Sequence, residues 1–519
     1  QNSKINMYYR FLFVLLIAGY ASAQKPASPD EFAKTITAQD LKKHLTVIAG
    51  PEMEGRNTPS PGLEKAADYI ATQFNNFGLT AGNNGSFRQT FSLYKDSITE
   101  TQLSIDGKTF TAYTDFAPFL QQYRNIDFQF NEYAFVGFGI VDEKRNDYEG
   151  IDVKDKLVVF LNGSPDNYTT SATDQQSPAY TLNKLNVAWE KGAKAIIVIS
   201  EKLPRRFTSP TTYLPQMFTT GDKNRIYAPV FYINENVVSA VTGVSLQSVI
   251  SAVENGSVSL GIQNSEVAIR QTHVRSKATA SNIIGIVEGS DKKDEYVILT
   301  AHYDHVGKDD DGKIFYGADD DGSGTVGVIE MAEAFAKAKK AGKGPRRTMI
   351  FMTVSGEEKG LWGSEYYALN PVYPLDKTSA NLNIDMIGRI GEEYEGNKEG
   401  ENYIYIIGDD KLSTDLHPIT EMVNTKYTKL KLDRKYNDPN DPEKFYYRSD
   451  HYNFARRGVP AIFYFNGVHA DYHKTTDTIE KINFKLMAKR TQLVFYTAWD
   501  IANRNEMVKR DLQLPSGNR

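Results

Sequence analysis

Three segments constrain this chain more than any other feature: VILTAHYDHVG (297–307), GADDDGSG (317–324) and VSGEEKGLWGSE (354–365). With NIDMIG (383–388), they place His302, Asp319, Glu357, Glu358 and Asp385 at the ends of apolar runs that read as buried strands. Imidazoles and carboxylates gathered at strand ends have the layout of a metal site at the edge of a parallel sheet.

Composition narrows the chemistry. The chain has 519 residues and no cysteine. Disulfides, thiolate ligands and a cysteine nucleophile are excluded, so a metal must be held by His, Asp and Glu. Sixty Lys+Arg against 65 Asp+Glu give a formal charge of −5. No basic block is long enough to track phosphates, so nucleic acid is not an expected partner. Arg10, the apolar run Phe11 to Ala18 and Ala21-Ser22-Ala23 read as a secretory signal, with the mature chain starting near Gln24. The expectation is a periplasmic or secreted protein with no membrane contact after cleavage.

Length predicts two domains. Residues 1–23 form the signal region, 24–127 the first part of the main domain, 128–262 an insert and 263–519 the remainder. Helical spacing runs over Thr37 to Val47 and Pro61 to Phe77, separated by the loop GPEMEGRNTPSPG (50–62). Phe87 to Leu93 and Gln102 to Ile105 read as strands. In the insert, FVGFGI, KLVVFLNG, AKAIIVIS and APVFYI read as strands and Leu182 to Glu190 as a helix. Beyond it come strands at Val267 to Arg275, Asn282 to Gly289, Tyr296 to Ala301, Thr348 to Thr353 and Ala380 to Met386. Helices are expected near Thr325 to Lys340, Ser364 to Leu369 and Phe484 to Ala502. Alternating strands and helices predict an α/β fold with a mixed, mostly parallel central sheet flanked by helices, carrying a smaller β-rich α/β insert.

His302 and Asp304 lie two apart on an extended segment and share one face, so the carboxylate can fix the imidazole tautomer. GADDDGSG offers Asp319 ahead of a Gly-flanked turn, and its spacing does not fit a calcium loop. KDDDGK (308–313) reads as a charged turn. Glu357 and Glu358 can face one site only if the chain turns, which Gly356 and Gly360 permit. Asp385, between apolar neighbours, needs a partner. In HADYHKTTDTIEKI (469–482), His473 and His469 compete for a ligand role, with Asp477 four positions after His473.

HYDHVG, GADDDGSG, SGEEKGLWGSE, NIDMIG, RSDHYNF and DYHKTTDT together resemble the M28 family of zinc peptidases, the aminopeptidase Y and glutamate carboxypeptidase relatives. The insert resembles a protease-associated domain. The resemblance implies a zinc exopeptidase fold of the phosphorylase/hydrolase-like kind and two Zn²⁺ ions. One would be held by His302, Asp319 and Asp385, the other by Asp319, Glu358 and His473, with Asp319 bridging. It further implies Glu357 as general base, Asp304 behind His302, and Tyr446 or Tyr447 facing the substrate. Two Zn²⁺, three carboxylates and one bridging hydroxide make a neutral centre, and three protein ligands per zinc leave an open position.

The activity so implied is a metallo-exopeptidase acting on peptides, an aminopeptidase foremost. A glutamate-carboxypeptidase-like enzyme would need cationic groups aimed at two carboxylates. A glutaminyl cyclase fits less well with the insert and two-metal set, and a non-catalytic receptor-like ectodomain would lack ligands that are present here.

Overall fold

The computed structural model describes residues 28–119, 125–170, 172, 176–204, 211–219, 228–309, 311–397 and 400–514. The signal region lies outside them. Among the described residues, no single helix is long and apolar enough to cross a membrane.

Two packed units share one sheet. In the first, strands Lys292–His302, Arg347–Val354, Thr378–Ile384 and Ala461–Phe465 run parallel, with Tyr403–Ile407 antiparallel to the last. Arg347–Val354 and Thr378–Ile384 are buried along their whole length because helices cover both faces. Helix Gly324–Lys340 lies on one face, with Phe335 against Phe351, Phe495 and Trp499. Lys337, Lys339 and Lys340 in its last turn complement its dipole. Helix Pro61–Phe77 starts with Ser60 accepting from the Leu63 amide and ends at Gly78 in a left-handed conformation (φ 82°). The final helix is Phe484–Asn503.

The second unit is another mostly parallel array, Ile126–Phe135, Leu157–Leu161, Ala195–Ile199 and Val230–Ile233. Its core starts upstream of position 128. Leu103, Ile105, Phe116 and Ile126 pack with Leu157, Ile197 and Phe231.

The units are joined by a ribbon that periodicity alone breaks into pieces. Strand Arg88–Ile105 is continuous, and strand Gly261–Val287 pairs with it antiparallel from Val267↔Ile105 to Ile283↔Arg88. The expected gaps, 94–101 and 276–281, are rich in polar residues, so the apolar alternation fades there although the ladder continues. Asp96 is held there by His273 and Arg275 at 2.8 and 2.7 Å.

Candidate metal centre

The carboxyl ends of the parallel strands converge on one point. His302 ends its strand, Asp385 follows Ile384, and Glu357 and Glu358 lie just beyond Val354. Gly356 (φ 77°) and Gly360 (φ 111°) turn the last segment, and a Cβ on Gly356 would sit 2.9 Å from the Trp362 side chain. The two glutamates therefore diverge. Glu358 places Oε2 3.1 Å from His473 Nε2 and Oε1 2.8 Å from His305 Nδ1. Glu357 Oε2 stays 3.9 Å from His302 Nε2 and faces the adjoining cavity.

The central carboxylate is Asp320. Its Oδ1 lies 3.3 Å from His302 Nε2 and its Oδ2 3.0 Å from His473 Nε2. The expected bridge, Asp319, points elsewhere: Oδ1 accepts from the Gly388 amide at 2.6 Å, and Oδ2 lies 3.1 Å from His469 Nε2. The third acid, Asp321, is taken up by the main chain, accepting from the amides of His302, Gly324 and Met386. Asp320 (φ −99°, ψ 105°) and Asp321 (φ −108°, ψ 49°) are not helical, so three consecutive acids reach three different surroundings. Asp477 holds this turn from outside by accepting from the amides of Asp319 and Asp320.

Asp385 Oδ1 lies 3.5 Å from His302 Nε2, and its Oδ2 accepts from Ser449 Oγ at 2.7 Å. Ser449 in turn accepts from Asn383 Nδ2. On the other side of His302, Nδ1 lies 3.1 Å from the main-chain oxygen of Asp304 and 3.8 Å from its carboxylate. That carboxylate accepts instead from the Glu357 amide, so Asp304 ties the histidine segment to the glutamate turn. Of the two competing histidines, His473 reaches Asp320 and Glu358, and His469 pairs with Asp319.

Tyr446 does not reach the cavity. It is 5% exposed, with its ring against Gly408, His451 and Tyr452. The tyrosine that lines the cavity is Tyr472, stacked on His473 at 3.9 Å. Its position immediately before His473 was the available sequence signal. Phe445, Phe463, Phe465 and Val468 form the apolar wall, and Arg448 also lines the space.

Electrostatics match this crowding. Burial would depress His302, but Glu357, Asp385 and Asp320 hold its proton affinity well above the imidazole range. Burial, reinforced by Asp385 and Glu358, raises Glu357 well above the carboxylate range although His302 opposes it. Asp320 Oδ2 and Glu358 Oε1 are buried without an aligned hydrogen bond. Ligand atoms of His302, Asp321 and Asp385 lie within 4.8 Å of one another, as do those of His305, Asp320 and Glu358. Asp321 is already committed to three amides, which leaves Asp320 as the acid free to serve both groups. Lone pairs aimed at common space and left unsatisfied fit divalent cations held by imidazole and carboxylate.

Comparison with known proteins agrees with the geometry. Residues 282–498 match Peptidase family M28. A Trichophyton verrucosum protein described as a probable leucine aminopeptidase is 31% identical over 227 residues, covering 43% of this chain and 57% of that protein. A Leptosphaeria maculans protein described as a probable zinc metalloprotease is 27% identical over 255 residues, with the same two coverages. The chain thus spans little more than half the length of these relatives. The solved aminopeptidase from Aneurinibacillus sp. strain AM-1 superposes with a TM-score of 0.57 at 18% identity, over 95% of this chain and 100% of that one, and so shares the fold. The segment that matches Peptidase family M28, residues 282–498, contains His302, Asp320, Glu358, Asp385 and His473.

Proposed function

We propose that the chain is a zinc-dependent exopeptidase that removes N-terminal residues from peptides. The observation that carries this reading is the position of Asp320 between His302 and His473, with Glu357 Oε2 3.9 Å from His302 Nε2 at the edge of the cavity. The names of the relatives, probable leucine aminopeptidase and probable zinc metalloprotease, support the same class.

His302, Asp320 and Asp385 would hold one zinc ion, and Asp320, Glu358 and His473 the other. When bound, such a pair supplies Lewis acidity to the scissile carbonyl and makes water nucleophilic near neutral pH. The side chains do the rest. Glu357, as a carboxylate whose burial raises its proton affinity, would accept the proton released by the attacking water and return it to the leaving amine. Tyr472, at the cavity wall beside His473, can donate its hydroxyl to the developing oxyanion. Phe445, Phe463 and Phe465 offer an apolar surface to the side chain of the residue being removed. Ser449 and Asp304 keep Asp385 and the Glu357 turn in place.

A second reading, a carboxypeptidase acting on acidic C-termini, draws support from Arg448 on the cavity lining, a guanidinium suited to a carboxylate. A fluorogenic panel separates the two. Free-amine aminoacyl substrates should be cleaved and N-blocked acidic dipeptides should not, with all turnover lost to a chelator and restored by zinc. Cleavage of the blocked substrates alone would reverse the assignment.

We also place the protein outside the cytoplasm, on the Arg10 to Ala23 pattern, and read the insert as a protease-associated domain walling the approach to the site. N-terminal sequencing of the exported chain should begin near Gln24.

A further inference from the structure

The loop GPEMEGRNTPSPG contributes no ligand, yet its Arg56 is fully buried behind the centre. Glu54, Gly55 and Arg56 all adopt positive φ (52°, 71° and 51°), which turns the arginine inward. Its four hydrogen bonds run to main-chain carbonyls. Nε donates to Tyr303 at 2.8 Å, Nη1 to Ile48 at 2.7 Å and Tyr316 at 2.8 Å, and Nη2 to Gly317 at 2.9 Å. Tyr303 follows His302, and Gly317 stands three residues before Asp320. One planar fork therefore spans both ligand-bearing segments.

The main chain of the loop completes the clasp. The His305 amide donates to Arg56 O at 3.1 Å and the Gly307 amide to Gly55 O at 3.0 Å. Position 55 admits only glycine, since a Cβ would meet Gly307 O at 2.2 Å and Phe315 O at 2.6 Å. Charge adds to geometry. A buried guanidinium is costly unless acids offset it, and Asp304, Asp320, Asp321 and Asp477 act on it through space. The field is mutual, so one fixed positive charge lowers the cost of crowding these carboxylates.

We propose that Arg56 is a positioning residue for the metal centre: its planar fork locks the His302 segment to the Asp320 segment. This role rests on the zinc-peptidase reading above. A lysine keeps the charge and loses the fork, whereas a glutamine loses the charge.

The test measures zinc affinity by competition with a chromogenic chelator, together with kcat and KM, on the full chain and on Arg56→Lys and Arg56→Gln. Loss of an outer partner costs about 10–100-fold in metal affinity. We expect Arg56→Lys near the lower end and Arg56→Gln near the upper, with kcat falling and KM little changed. Variants that melt earlier yet bind zinc and turn over like the parent would reduce Arg56 to a packing role and overturn the proposal. If neither variant folds, hydrogen exchange on the native chain decides. Zinc should slow exchange at the amides of His305 and Gly307, and unchanged rates there, with slowing elsewhere in the site, would overturn it. A native chain that binds no zinc and cleaves no peptide would instead sink the functional reading itself.

Discussion

Asp320 Oδ2 lies 3.0 Å from His473 Nε2, and this pairing joins the turn that opens helix Gly324–Lys340 to the loop after strand Ala461–Phe465. One residue earlier, Asp319 makes a separate pair with His469 at 3.1 Å. Two carboxylate–imidazole pairs thus lie side by side, and only the Asp320 pair also touches His302 and Glu358. Asp320→Asn should abolish zinc retention and turnover together. Asp319→Asn should keep two zinc ions per chain and lose activity only within the about 10–100-fold range of an outer partner. Metal analysis on the purified variants checks this, and the opposite order would return the bridging role to Asp319.

Glu357→Gln separates holding metal from moving protons. The amide is nearly isosteric and leaves Glu358, His302 and Asp385 in place. Zinc content should stay at the parental level, while kcat drops by about 10²–10⁴-fold, the range of a general base. Parental kcat in a fully loaded variant would remove Glu357 from the reaction.

Tyr472 and Tyr446 divide along the same line. Tyr472→Phe removes a hydroxyl from the cavity wall and should lower kcat by about 10²-fold, with KM held. Tyr446→Phe changes a ring packed against His451 and Tyr452 and should leave kcat alone. Equal losses in both variants would contradict the assignment.

The sequence made the strand ends readable because apolar runs stop abruptly at His302, Val354 and Ile384. Ligand type followed from the residues there. The resemblance puts the bridge on Asp319 and not on Asp320, because the choice among three consecutive acids depends on backbone angles that depart from helix inside the turn. The resemblance points to Tyr446 or Tyr447, just before the SDH motif, whereas the fold turns the Tyr446 ring into an aromatic cluster. Arg56 stayed hidden for a different reason: its partners are carbonyls, which every residue carries, so no pairing pattern marks them. The ribbon of 88–105 and 261–287 reads as fragments because its middle is rich in polar residues and lacks the apolar alternation that reveals half-buried strands.

Lys184 gives the second unit a pH dependence. Its Nζ is buried and donates to Leu161 O and Gly163 O at 2.9 and 2.8 Å. Burial pulls its pKa down from 10.5 to about 7, with Asp147 opposing. Between those values the unfolded chain binds a proton that the folded chain does not, so this group makes stability rise with pH from about 7 to about 10.5. Denaturant melts at pH 7 and pH 9.5 should show a gain for the parent that shrinks in Lys184→Met. A gain of equal size in both would assign the slope to other groups.

Ser449 offers the finest test of how the centre is built. Its hydroxyl donates to Asp385 Oδ2 at 2.7 Å and accepts from Asn383 Nδ2 at 2.9 Å, while Asn383 Oδ1 accepts from Thr300 Oγ1 at 2.6 Å. The chain of bonds runs from the strand beneath His302 to the acid beside it, so the carboxylate is aimed before any cation arrives. Ser449→Ala leaves Asp385 able to rotate and Asn383 with an unpaired donor. Zinc affinity should fall by about 10–100-fold, with a smaller effect in Ser449→Thr, which keeps the hydroxyl. If serine, threonine and alanine bound zinc alike, Asp385 would be aimed by its main chain alone, and the hydrogen-bond chain would serve only to pack the sheet.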